Sequence, residues 1–117
     1  MQLYLNKGSF AGKTYLKPEM ILRFNTCYYC DQNVRRGVGF DKPQLEDIGP
    51  TCGCLSMSSF GHSGFTGTYA WADPEEDIIY VFLSNRIHPD ASNDKLITED
   101  IRTKIQGVIY ESLVDRN

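Results

Sequence analysis

The sequence has no long apolar run, little net charge, a single tryptophan and few cysteines. No stretch approaches the roughly 18 consecutive apolar residues that carry a helix across a bilayer. The opening Met1-Gln-Leu-Tyr-Leu-Asn6 lacks the basic and long apolar regions of a secretion signal. Twelve Lys and Arg stand against 15 Asp and Glu, a formal net charge of -3. That leaves no basic stripe for a phosphate backbone, so nucleic acid is not an expected partner. Four cysteines in 117 residues are too few for a disulfide scaffold. What remains is 41% hydrophobic, 23% charged and 12% aromatic. This is the profile of a globular chain, expected to form one unit over residues 1–117.

The order of signals predicts an α+β fold. Leu3, Tyr4 and Leu5 followed by Asn6-Lys7-Gly8 read as the last turns of a helix and its stop. Phe10 to Tyr15 is a turn-rich connector. A short helix is expected near 18–26, with Pro18 at its first position and Glu19 at the positive end of its dipole. Arg36 to Asp41 alternates small and large residues and reads as a strand, and residues 42–58 read as loop. Residues 68–73 and 78–84 form a hairpin around Pro74-Glu-Glu-Asp77. The second of these strands is apolar on both faces, the pattern of a central strand covered on each side. Ile97, Ile101, Ile105, Val108 and Ile109 recur at helical spacing and predict an amphipathic helix near 97–113. The expected architecture is an antiparallel sheet of about three strands with that helix across it. Trp71, Tyr80 and Phe82 read as core, His88 as a solvated loop residue, and Asp73 to Asp77 as a solvated turn.

Chemistry concentrates in Ser59-Phe-Gly-His-Ser-Gly-Phe-Thr-Gly-Thr68. A histidine and a hydroxyl lie among glycines, where a ligand can approach backbone N–H groups that stabilise a developing oxyanion. A nucleophile elbow, G-x-S-x-G, fits poorly: position 65 is Phe, and a strand follows where a helix is needed. The cysteines fall in two pairs, Cys27-Tyr-Tyr-Cys30 and Cys52-Gly-Cys54. They are compatible with free thiols, bridges or a four-thiolate zinc knuckle. No cofactor is required by any motif.

Gly61-His-Ser-Gly-Phe-Thr-Gly-Thr68, the strand after it, Asp73-Pro74, and a second strand ending Phe82-Leu-Ser-Asn85 resemble the C-terminal part of the serine beta-lactamase and penicillin-binding-protein superfamily. The resemblance is to its class C-like, esterase-related branch, including exported domains fused to a family-three glycoside hydrolase. Arg35 to Pro43, Ser84 to Asp90 and the closing helix extend the likeness in order over almost the whole chain. It implies an α+β fold and hydrolysis of an amide or ester through an acyl-enzyme. Three motifs build the site in that superfamily: Ser-x-x-Lys, Tyr-x-Asn, and Lys-Thr-Gly or His-Ser/Thr-Gly on an edge strand. The resemblance puts His62, Ser63 and Gly64 on the third. It implies that His62 transfers a proton or binds a carboxylate, that Ser63 hydrogen-bonds substrate, and that the Phe65 N–H forms half the oxyanion hole. Ser92-Asn-Asp-Lys95 and Tyr4-Leu-Asn6 spell the other motifs at the wrong places. The chain is therefore expected to be the rear part of a hydrolase domain, inactive alone, with a peptidoglycan-like or small-molecule substrate in an exported parent. An under-covered sheet face prone to self-association follows from the same reading. The alternative is a non-catalytic structural or binding module, with zinc held by Cys27, Cys30, Cys52 and Cys54.

Overall fold

The computed structural model describes residues 1–44 and 49–114. A one-turn helix α1 (Gln2–Leu5) leads into a small hairpin, β1 (Ser9–Phe10) and β2 (Lys13–Thr14). Its turn residues Ala11 and Gly12 both have positive φ, 49° and 76°, as a tight hairpin turn requires. The sequence pattern predicts only a connector here, because strands of two residues carry no periodicity. Helix α2 (Pro18–Asn25) starts at Pro18 as expected, with Lys17 as its N-cap, and ends at Thr26.

The main sheet is antiparallel, in the order β3 (Phe60–Ser63), β4 (Tyr69–Asp73), β5 (Ile78–Phe82). The β4–β5 hairpin lies where the alternation predicted it, with Trp71 opposite Tyr80. Its third strand does not. Residues 36–41 make no strand, only an Arg36–Asp41 bridge and an Asp41–Gly61 bridge. Gly37 and Gly39 fold this segment into a turn, with Gly37 N–H bonded to Phe40 O at 2.9 Å and Gly39 at φ 105°. The strand beside β4 is β3, the Gly-rich segment that the family resemblance put on an edge.

The core lies on one face of the sheet, where Leu55, Tyr69, Trp71 and Tyr80 are packed by Cys52, Phe82, Ile109 and Tyr110. On the other face Tyr4, Phe40 and Phe60 form an aromatic cluster with centroids 5.2–5.7 Å apart. Trp71 and Tyr80 are buried, as expected. Strand β5, however, is not central among the described residues: it closes the sheet on one side, and Val81 is 52% exposed.

The C-terminal helix also departs from its pattern. It is two helices, α3 (Lys95–Thr98) and α4 (Ile101–Val114), broken where Asp100 takes φ 51°. The isoleucine stripe is only partly the packed face, with Ile109 against the core. Ile97, Ile105 and Val108 are exposed, whereas Gln106 is buried. The reason lies in the sheet, whose core face is rich in tyrosine. Buried hydroxyls need partners, and α4 supplies them from a polar line. Tyr69 Oη reaches Gln106 Oε1 at 2.8 Å, Tyr80 Oη donates to Arg102 O at 3.2 Å, and the Arg102 guanidinium lies over the Tyr69 ring.

Candidate active-site wall

Strand β3 brings His62 and Ser63 to the outer side of the sheet, and the chain then turns sharply. Gly64 N–H bonds Thr68 O at 2.7 Å and Gly67 N–H bonds Gly64 O at 2.9 Å. This is a three-residue hairpin loop, Phe65-Thr66-Gly67, whose last position takes φ 93°. A loop of that kind needs glycine there, and a Cβ on Gly67 would also strike Leu96 and Ser84. Arg86 fastens the loop from outside, with Nε on Phe65 O at 3.0 Å, its own N–H on Thr66 O at 2.9 Å, and its guanidinium over the Phe65 ring.

Antiparallel pairing alternates the direction of backbone groups. Gly61 turns both of its groups outward, exchanging bonds of 2.8 and 3.1 Å with Asp41. Gly64 turns inward to Thr68. By this alternation Ser63 faces outward, past the point where the Asp41 pairing ends. Among the described residues, no acceptor is bonded to the Phe65 N–H. The outward backbone groups of Ser63 and the Phe65 N–H thus lie beside an exposed His62, with Ser63 and Gly64 half-buried.

Two neighbours that sequence reasoning did not single out complete the site. Arg36 Nη2 is 3.1 Å from His62 Nε2, and Arg36 Nε is 3.3 Å from Asp41 Oδ1. Asp41 Oδ2 lies 3.8 Å from His62 Nε2. No motif marks Arg36 or Asp41, which reach His62 through the 36–41 turn. Two open grooves lie elsewhere among the described residues. An open groove of about 810 Å³ runs between Gly49–Cys52 and α4, and one of about 590 Å³ lies between α1, α2 and Phe60. Neither is lined by residues 62–65.

Behind the wall is a buried polar cluster. Asp73 is 1% exposed, which corrects the reading of Asp73 to Asp77 as a wholly solvated turn. Burial pushes its carboxyl up, but hydrogen bonds from Ser56 Oγ, Ser56 N–H, Tyr110 Oη and Glu75 N–H outweigh this and hold it below the usual carboxylate range. Buried Lys42 donates to Ser58 O at 3.0 Å, and desolvation, then the neighbouring Arg35, pull its ammonium down to about 8.

The cysteines form two local disulfides, Cys27–Cys30 and Cys52–Cys54. Bridged sulfurs are not thiolates, so the four-cysteine zinc knuckle is overturned. Residues 45–48 of the expected 42–58 loop, with Glu46 and Asp47, lie outside the described residues.

Residues 8–103 match a family model described as Beta-lactamase. Two curated relatives, from Salmonella enteritidis PT4 and Salmonella gallinarum, both carry the name "Putative D-alanyl-D-alanine carboxypeptidase". Each is 29% identical over 97 residues, covering 82% of this chain and 22% of the relative. The chain therefore spans less than a quarter of the length of these curated relatives. The family-model match runs through β3, the β4–β5 hairpin and the start of α4. The family match over most of its length establishes that this chain belongs to the beta-lactamase family.

Proposed function

We propose that this chain is one wall of the cleft of a serine hydrolase that cleaves an amide, lactam or ester through an acyl-enzyme. It carries the third, His-Ser-Gly motif and not the attacking serine with its base. The observation that supports this most directly is the edge position of His62, Ser63 and Gly64, with the Phe65 N–H unbonded beside them. In this reading an extended acyl substrate lies along β3. Ser63 hydrogen-bonds it, His62 serves proton transfer or the substrate carboxylate, and the Phe65 N–H supplies half of the oxyanion hole. Peptidoglycan-like stem peptides are the favoured substrate class, because the relatives' name refers to D-alanyl-D-alanine. Two disulfides fit an exported, oxidising setting for the parent protein.

A nucleophile and its base act as a unit, so a wall without them loses most of the rate. Purified chain should turn over neither nitrocefin nor p-nitrophenyl esters above background. Turnover abolished by Ser63→Ala and unaffected by Ser92→Ala would overturn the reading. The exposed side of β5 and the outward stripe of α4 are also the surfaces through which the isolated chain should self-associate.

A further inference from the structure

The contact between Arg36 and His62 constrains the imidazole in a way that no motif conveys. A guanidinium has donors only and keeps its charge throughout the accessible pH range. With Arg36 Nη2 at 3.1 Å, His62 Nε2 completes a hydrogen bond only by presenting its lone pair. The ring proton then belongs on Nδ1. Asp41 pulls the other way, because a carboxylate is an acceptor and asks Nε2 for a proton. At 3.8 Å its Oδ2 is too distant for a hydrogen bond, whereas its Oδ1 is 3.3 Å from Arg36 Nε. Asp41 is itself pinned to β3 by its two backbone bonds to Gly61. The arrangement is therefore ordered: strand β3 fixes Asp41, Asp41 orients Arg36, and Arg36 faces His62.

We propose that Arg36 is a positioning residue that holds His62 in the Nδ1–H tautomer, with Nε2 kept as an acceptor. Its functional meaning rests on the cleft-wall reading above. If β3 lines the cleft, His62 meets the ligand with its Nδ1–H as a donor, because Arg36 occupies the single lone pair on Nε2. The cation facing an anionic group of the ligand is then Arg36, whose side chain is 51% exposed.

Two-bond ¹H–¹⁵N correlation NMR on the full chain, disulfides intact, reads the tautomer directly. The spectrum is recorded well above the ordinary histidine range of about 6.5. His88, the second histidine, is exposed in a loop and serves as the internal reference. Wild type should show the proton of His62 on Nδ1. Arg36→Ala should move it to Nε2, where Asp41 becomes the acceptor, and leave His88 unchanged. Arg36→Lys, which restores a cationic donor, should return it at least partly to Nδ1. A wild-type proton on Nε2, or an Nδ1 proton that persists in folded Arg36→Ala, overturns the proposal. The wild-type spectrum decides alone if the alanine variant loses its amide dispersion. The tautomer does not depend on turnover, so hydrolysis by the chain would sink the cleft-wall reading and leave this result standing.

Discussion

Gly61 lacks a side chain because the Trp71 indole occupies the space one would take, and a Cβ there would also meet Ala70 O. Gly61→Ala should therefore destabilise the fold by about 1–3 kcal/mol, the usual cost of overpacking a core. Urea unfolding followed by the single tryptophan checks this; an unchanged midpoint would contradict the packing described. Two buried charges set the pH response. The carboxyl of Asp73 titrates lower in the folded chain than in the unfolded one. Its contribution is full above about pH 4, the unfolded carboxylate range, and is lost as pH falls through the folded value. Asp73→Asn should cost roughly 1–3 kcal/mol at neutral pH and flatten that acid limb. Lys42 acts in the same direction at higher pH, because there too the folded state disfavours the protonated form. Its ammonium is lowered to about 8, so the folded state holds fewer protons than the unfolded one from there up to the ordinary lysine value. Stability should rise across that window. Above about pH 10 the raised Tyr69 and Tyr110 hydroxyls reverse the trend. Thermal melts of wild type and Lys42→Met test this, with the rise expected in wild type only. None of this cluster was legible in the sequence, because Ser56 and Tyr110 lie 17 and 37 residues from the carboxyl they satisfy.

Periodicity located the elements better than it located their environments. The β4–β5 hairpin and α2 lie within a residue or two of their expected ends, since alternation and a proline at the first helical turn act locally. The 36–41 strand failed because its small-large alternation comes from Gly37 and Gly39, which form a turn. The helix near 97–113 is present, with Ile109 of its stripe against the core but Ile97, Ile105 and Val108 exposed, since hydropathy cannot foresee a tyrosine-lined sheet that takes Gln106 and the Arg102 carbonyl as acceptors. The outward stripe makes its own prediction. Val108→Lys, at a position 64% exposed, should leave unfolding within about 0.5 kcal/mol of wild type, as surface changes usually do. In sedimentation velocity it should weaken self-association. A wild type that stays monomeric at every concentration, or a strongly destabilised variant, would count against an uncovered apolar face.

At the scale of the molecule, the family rests on the match over residues 8–103. The His-Ser-Gly segment stands out in the sequence through its resemblance to the superfamily's third motif, since His62 by itself reads as a loop histidine capping a turn. Its partners Arg36 and Asp41 do not, since a turn and not a motif brings them to β3. The family match covers most of this chain, whereas the chain covers only 22% of the relatives it resembles. The central claim is that the polypeptide holds a wall of an acylating cleft and not its nucleophile. Intact-protein mass spectrometry after incubation with benzylpenicillin addresses this most directly, because an acyl-enzyme is a covalent adduct. The account predicts an unchanged mass. A gain of one penicilloyl group, mapped to a serine of this chain, would contradict it.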